Sequence, residues 1–475
     1  MLFYSLLGFV RPALAIILIP IYLNVFTESE WAVYSLMLVV GGFSMILMTF
    51  RLNAAMLTKY YDYFHDRLQL RKYLSTLFTS SIGISIVTLA LAYFTGEAIF
   101  DYVFESEELL FFPYGFTIIV YAALGEINQS YFTFLRNEKN LKRYALVILT
   151  QVLLVIIFQF VLIVILRKGV QGAIVGMLLS NIITFILILF LERDILKYRP
   201  DWGMLRSSLK FSIPLIPYLL IYWFMTKGER IVLEQFLDLE LVGKYILLVT
   251  ITGVTIMLIE AVINGVRPFL FEVFKRDNLQ EASTIRLLTG LIVNVPLFII
   301  PLVIFLGNNL QLITTNEAYY VIAPYTGVGV LVAYSIVYAK LFYQQLVFTK
   351  KSSTVTALSF VSMTVFIFSL IYFIPKMEIW GVLIAVAIAN LTQGLLFYIS
   401  GQKHLKIQFS WRSIALNPLL VCIVVIACEW YVAYSGISRS LYGIIALLGM
   451  TSLIYSINRY KIRQYKAIFL NSELN

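Results

Sequence analysis

Charge, histidine and cysteine are all scarce in this sequence, and each scarcity excludes something. Only 13% of the 475 residues are charged, about half the share usual in a soluble domain. With 60% of the residues hydrophobic, no water-soluble globular class fits. The two histidines, His65 and His404, both fall in basic loops. A multi-histidine metal site is therefore not on offer, and no metal is expected. The two cysteines, Cys422 and Cys428, lie in one apolar run. Six residues apart on a helix, they face different ways, which argues against a disulfide or a metal pair. Long polar segments are missing as well. The longest loops, around 56–76 and 192–210, hold only about twenty residues each. No extra-membrane catalytic domain fits into them. Ala13-Leu14-Ala15 looks like a signal-peptidase site, but no basic segment precedes it and the apolar run continues through Tyr22. A retained first span is expected instead.

What the sequence does have is long apolar runs. They lie near 3–25, 31–55, 77–96, 109–134, 143–166, 170–191, 211–227, 241–266, 287–306, 319–343, 353–374, 379–400, 413–433 and 440–457. Most are of the length that crosses hydrocarbon as a helix. The expectation is an all-α polytopic membrane protein with about fourteen transmembrane helices.

The loops between these runs alternate in sign. Odd-numbered loops are poor in Lys and Arg, and several carry acidic residues: Glu28 and Glu30; then Glu97, Asp101, Glu105, Glu107 and Glu108; then Glu234, Asp238 and Glu240. Even-numbered loops are basic, with Lys59, Arg67, Arg71 and Lys72 in the first of them and Arg136, Lys139, Lys142 and Arg143 in the next. The alternation runs the length of the chain with one lapse, Arg167-Lys168. By the positive-inside rule both termini are expected in the cytoplasm. The net charge of +10 is thus spent on topology, and no nucleic-acid partner is expected.

A shift of 211 residues lays the start of the chain on its centre. Tyr34 falls on Tyr245, Leu36 on Leu247, Gly42 on Gly253, Leu47 on Leu258 and Asn53 on Asn264. In both copies an outer loop leads to a small-x-Tyr motif, Ala32-Val33-Tyr34 and Gly243-Lys244-Tyr245. Six spans separate the copies, an even number, so both run the same way through the bilayer. Parallel repeats imply two pseudo-symmetric six-helix lobes around a central cavity. The lobes are expected at 1–206 and 207–402, with two extra C-terminal helices and a tail at 403–475.

Charged residues inside spans are costly and mark function. Glu260, Asn264 and Arg267 are spaced i, i+4, i+7 on one helix face, and simple neutralisation by Arg267 is the competing reading for Glu260. Lys227 and Arg230 share a face three residues apart. Arg11 lies about nine residues inside the first span, too deep to snorkel easily, on the same face as Tyr22. Arg51 lies near the inner end of the second; Asn53, two residues on, is about 200° away on a helix. Arg11, Arg51, Lys227, Arg230 and Arg267 are the candidate cationic cavity residues. Asn264 is a polar cavity candidate, and Glu260 and Glu126 are candidates for a coupling proton or cation, with a pair to a nearby Arg as the equal alternative for Glu126. End-of-helix snorkelling is the competing reading for Arg51, Lys227, Arg230 and Arg267.

Taken together these segments resemble a known family. The opening LLGFVRPALAIILIPIYLNVFTESEWAVYSLMLVVGGF resembles the start of Wzx-type polysaccharide-biosynthesis flippases. These belong to the multidrug/oligosaccharidyl-lipid/polysaccharide exporter superfamily. Pro214, Glu229-Arg230, Phe236-Leu237 and Gly243-Lys244-Tyr245 match the family's central pattern, although Asp is more usual before the Arg. Arg267-Pro268-Phe269 followed by Phe271 and Glu272 is similar too. The resemblance implies a transporter of the bacterial inner membrane, not an enzyme, that flips an undecaprenyl-diphosphate-linked oligosaccharide by alternating access. It implies membrane lipids, and a polysaccharide polymerase and chain-length proteins, as partners. It implies no cofactor, and coupling to a proton or sodium gradient. Two relatives share the architecture: the lipid II flippase and the cation-coupled drug exporters. The surplus of cationic residues in the spans argues against the latter. A membrane glycosyltransferase or polymerase would need catalytic acids in an outer loop, and the acidic cluster at 97–108 is the only candidate.

Overall fold

The computed structural model describes residues 7, 17–193, 196–275 and 281–459, and among them every regular element is a helix. The chain divides into two compact units, Met1–Gly243 and Lys244–Asn475. The first holds α1 (17–25), α2 (Glu28–Leu47), α3 (Leu52–Tyr63), α4 (Arg67–Val103), α5 (Phe116–Asn137), α6 (Leu141–Ile165), α7 (Gly169–Leu191) and α8 (Trp202–Glu234). Then α9 (Leu239–Lys275) runs across the division. The second unit continues with α10 (Ala282–Asn308), α11 (Glu317–Phe348), α12 (Ser352–His404), α13 (Arg412–Ser435) and α14 (Arg439–Arg459).

The loops end the helices by ordinary capping chemistry. Thr27 accepts from the Glu30 amide at 3.2 Å while the Glu30 carboxylate accepts from the Thr27 amide at 3.0 Å. This reciprocal pair satisfies two backbone donors that the first turn leaves open. Asp66, Asp201 and Asp238 cap α4, α8 and α9 one way, each accepting from a first-turn amide. Pro214 and Pro296 lie in tightened 3-10 turns, as the missing proline donor requires.

Eleven of the described helices are long and apolar enough to cross a bilayer. One of them counts twice. In α12, 53 residues long, Glu378 has φ 47 and ψ −122, so the rod folds back on itself. A Cβ on Gly381 would lie 2.3 Å from the Phe373 carbonyl oxygen, so the two arms of this hairpin leave no space for a side chain there. A further helix, α5, has 22 residues, enough to cross, but carries Glu126, Asn128, Gln129 and Arg136. The first expected span, 3–25, is described only in its final part. With the second arm of α12 and α5, described helices match thirteen of the fourteen spans expected from the sequence, while most of 3–25 lies outside the described residues; the chain is an all-α multi-pass membrane protein.

The boundaries differ most at the second span. The apolar run 31–55 is two helices, because Phe50 and Arg51 take left-handed backbone angles, φ 47 and 56. The segment after the break, α3, lies on the basic-loop side and packs into a large aromatic core. Leu52, Met56 and Tyr60 from α3 meet Tyr73 and Phe78 of α4 and Tyr131 of α5, all buried. Much of the expected loop 56–76 is therefore helix, held by apolar contacts rather than by hydrocarbon.

In the second unit α13 and α14 are bonded into the interior. Asn417 on α13 donates to Asn294 on α10 at 2.9 Å. Arg439 of α14 pairs with Glu429 of α13, whose side chain is only 9% exposed. A Cβ on Gly327 of α11 would lie 2.3 Å from the Glu429 carboxylate. Arg439→Ala should therefore lower stability by about 2 kcal/mol, since it leaves a nearly buried carboxylate without its cation. The thermal midpoint of the purified protein in detergent checks this. An unchanged midpoint would show the pair to be dispensable.

Candidate functional site

Each charged residue picked out within a span of the first unit, where described, has a defined neighbour. Arg51 forms the left-handed junction before α3 and reaches α5, where its Nη1 donates to Glu126 Oε1 at 3.1 Å. The Glu126 side chain is 5% exposed and that of Arg51 26%. The pair is incompletely satisfied, because Glu126 Oε2 and Arg51 Nε are buried without a hydrogen-bond partner. Asn53 is buried nearby in sequence, and its Oδ1 also has no partner. The spacing that set Arg51 and Asn53 on opposite faces assumed an unbroken helix, and the backbone break at 50–51 removes it.

Lys227, Glu229 and Arg230 lie towards the acidic-loop end of α8. Trp223 fixes this helix against α2 by donating to the Val39 carbonyl at 3.3 Å and packing at a tilt against Phe43. A Cβ on Gly42 would lie 3.9 Å from Lys227 Nζ, so Gly42 leaves the lysine room. A π turn over Phe224–Gly228 widens the helix here, so the plain i,i+3 geometry assumed for Lys227 and Arg230 does not apply. Arg230 Nε stands 3.6 Å from Glu229 Oε1. Glu229 is buried, and its Oε2 lacks a hydrogen-bond partner.

The second unit holds the most open arrangement. Glu260, Asn264 and Arg267 share one face of α9 as their spacing requires, while Ile259, Ile263, Val266 and Leu270 pack inward. Two rungs tie this helix to α11. Glu260 Oε1 accepts from Lys340 Nζ at 2.9 Å. Arg267 Nε donates to Gln344 Oε1, also at 2.9 Å. Gln344 in turn donates to the Lys340 carbonyl at 2.8 Å, which fixes the orientation of its amide. So Lys340, and not Arg267, is the countercharge of Glu260. Sequence reading missed Lys340, although a lysine inside the run 319–343 was a visible signal.

Exposure separates the ion pairs. Glu260 is 44% exposed and Lys340 22%. In a membrane-spanning helix a stripe of Glu, Asn and Arg that is open to its surroundings cannot face lipid tails. It must meet water or a polar ligand. The residual candidate, Arg11, lies outside the described residues. Its aligned partner Tyr22 is buried, donates to Gln159 and accepts from Tyr34 at 3.2 Å. Among the described residues no group of three or more His, Cys, Asp or Glu side chains could hold a metal ion.

Comparison with known families decides the lineage. The model of the polysaccharide biosynthesis protein family matches residues 25–308, more than half of the chain. The chain belongs to the polysaccharide biosynthesis protein family. Like the matched segment, which runs from the end of α1 to the end of α10, most of the candidate charges fall within 25–308; Arg11 and Lys340 lie outside it. No curated protein matches this family member by sequence. In fold it is similar to the lipid II flippase MurJ in an inward closed conformation. There the identity is 18% and the TM-score 0.65, over 96% of this chain and 99% of that one. It is also similar to an inward-facing multidrug resistance MATE family transporter of the MOP superfamily. That match has 14% identity and a TM-score of 0.64, over 82% of this chain and 93% of that one. A MATE in complex with MaL6 gives 17% and 0.58, over 84% and 93%. At these identities the likeness speaks for the fold.

Proposed function

We propose that this member of the polysaccharide biosynthesis protein family is a flippase for a lipid-linked oligosaccharide. Its cargo is an undecaprenyl-diphosphate-linked repeat unit of a surface polysaccharide, carried from the cytoplasmic to the outer leaflet of a bacterial inner membrane. The observation that carries this reading is the open polar stripe of α9 and α11. It sets Arg267 and Lys340 within spans where hydrocarbon alone would exclude them. A diphosphate is too strongly hydrated to enter hydrocarbon, and cationic side chains in a confined polar path replace that hydration. The lipid tail stays in the bilayer while the head group moves. Lys227, Arg230 and Arg11 extend the same role, and Arg51 serves as the partner of Glu126. Glu126, buried with one oxygen unpartnered, is the carboxylate best placed to take up a coupling proton or cation. The repeat units 1–206 and 207–402 are the two moving lobes of an alternating-access cycle, and both termini are cytoplasmic.

Deletion of the gene, with analysis of lipid-linked intermediates, tests the reading. Undecaprenyl-linked repeat units should accumulate on the cytoplasmic face. Normal surface polysaccharide would overturn it, and accumulation of lipid II would move the assignment to peptidoglycan precursors. In complementation, Arg267→Ala should reduce transport roughly 10-fold or more at normal membrane abundance. Full complementation would remove Arg267 from the binding site.

A further inference from the structure

We propose that Glu260 is a resident occupant of an anion site, holding Lys340 until a phosphate-class anion takes its place. This inference rests on the reading of the α9–α11 stripe as the surface that meets an anionic ligand, and it assigns Glu260 a role different from ion coupling.

The geometry supports it in three steps. Lys340 and Arg267 are the two cations of the stripe, held by two rungs on neighbouring helices. The rungs lie four residues apart on α11, about 6 Å along the axis, a gap that long lysine and arginine side chains can close. Next, the two rungs differ in kind. Gln344 is buried, with its amide oxygen taken by Arg267 Nε and its nitrogen by the Lys340 carbonyl. It is neutral and fixed, and it meets Arg267 at Nε. Glu260, by contrast, is negative and nearly half exposed. A carboxylate offers a cation the same kind of acceptor oxygens as a phosphate does. Finally, exposed ion pairs are weak and exchange readily, while a buried pair is costly to break. Glu260–Lys340 belongs to the first sort and Arg51–Glu126 to the second. Of these two pairs, the one beside Arg267 is the one a ligand can open.

Exchange has a chemical advantage over an empty site. Lys340 is paired before, during and after ligand binding, so no bare ammonium is left within the span. Return of the carboxylate also helps to expel the anion, which a transporter needs as much as capture.

Binding of inorganic pyrophosphate to the purified full-length protein in detergent tests the proposal. Glu260→Gln keeps the side-chain shape and removes the competitor, so pyrophosphate should bind about 3-fold more tightly. Lys340→Gln should weaken binding about 10-fold or more, and the double variant should bind as weakly as Lys340→Gln alone. Lys340→Arg, which keeps the charge, guards against a folding defect in the glutamine variant and should bind close to wild type. Unchanged or weaker binding by Glu260→Gln overturns the proposal. So does an absence of pyrophosphate binding to every form. The flippase reading fails separately. If Glu260→Gln tightens binding but no lipid-linked oligosaccharide accumulates on deletion, the anion site stands and the cargo assignment falls.

Discussion

Replacing Glu126 by alanine is expected to destabilise the protein by about 3 kcal/mol, because it strands the Arg51 guanidinium in a largely buried position. The two side chains join α5 to the backbone break ahead of α3 at 3.1 Å. Glu126 is almost wholly buried, so water cannot take over its role. The expected signature is non-additivity. Removing Arg51 as well should recover part of the loss, since the double variant buries no lone charge. Thermal midpoints of the wild type, Glu126→Ala, Arg51→Ala and the double variant in detergent supply the cycle. A single-variant loss below about 1 kcal/mol, or simple additivity, would show that the two groups do not depend on each other.

A second large effect is expected at Gly243. A Cβ there would lie 2.1 Å from the Glu28 carbonyl oxygen and 2.9 Å from its carbon. The obstacle is backbone at the first turn of α2, next to the Thr27–Glu30 capping box. No rotamer change relieves it. Gly243→Val should therefore force the start of α9 off α2, at a loss of about 3 kcal/mol or failure to accumulate in the membrane. Gly253→Ala is the matched control, since nothing lies within 4 Å of its Cβ position. A helical Gly→Ala change with space around it should be neutral or mildly stabilising. Wild-type abundance and melting for Gly243→Val would show that the two helix ends are not held in contact. The same contact explains why a small residue opens the small-x-Tyr motif in this copy. In the other copy the position is Ala32, which is fully buried.

The spans were legible because a bilayer imposes one simple requirement, length of apolar run, whatever the tertiary packing. Loop charge was legible for the same reason. The break at 48–51 was not. Met48, Thr49, Phe50 and Arg51 include neither glycine nor proline, and the left-handed residues there are held by packing of α3 against α5, not by local preference. The pairings of the site were hidden in another way. Arg51 finds Glu126 75 residues away, and Glu260 finds Lys340 80 residues away. Helical periodicity says which residues share a face, but not which face meets it. That is why the spacing sets Glu260, Asn264 and Arg267 on one side of α9 but leaves open whether Arg267 or a group on another helix neutralises Glu260. Lys340 was passed over because it lies three residues before the end of its apolar run, where a lysine reads as an anchor.

The Asn417–Asn294 bond carries a consequence for how the chain is made. Asn294 lies 123 residues before its partner, and α14 packs beside the later part of α10, where Gly443 approaches the Asn309 side chain. As the ribosome delivers helices to the membrane in order, α10 and α11 arrive well before α13 and α14. Until those last two follow, the Asn294 amide oxygen lacks its cross-helix donor. The second unit thus reaches its final packing only after α13 and α14 have entered the membrane. A chain cut short after α12 would already possess both halves of the internal repeat, yet it would be an unfinished protein, exposed to quality control in the bilayer.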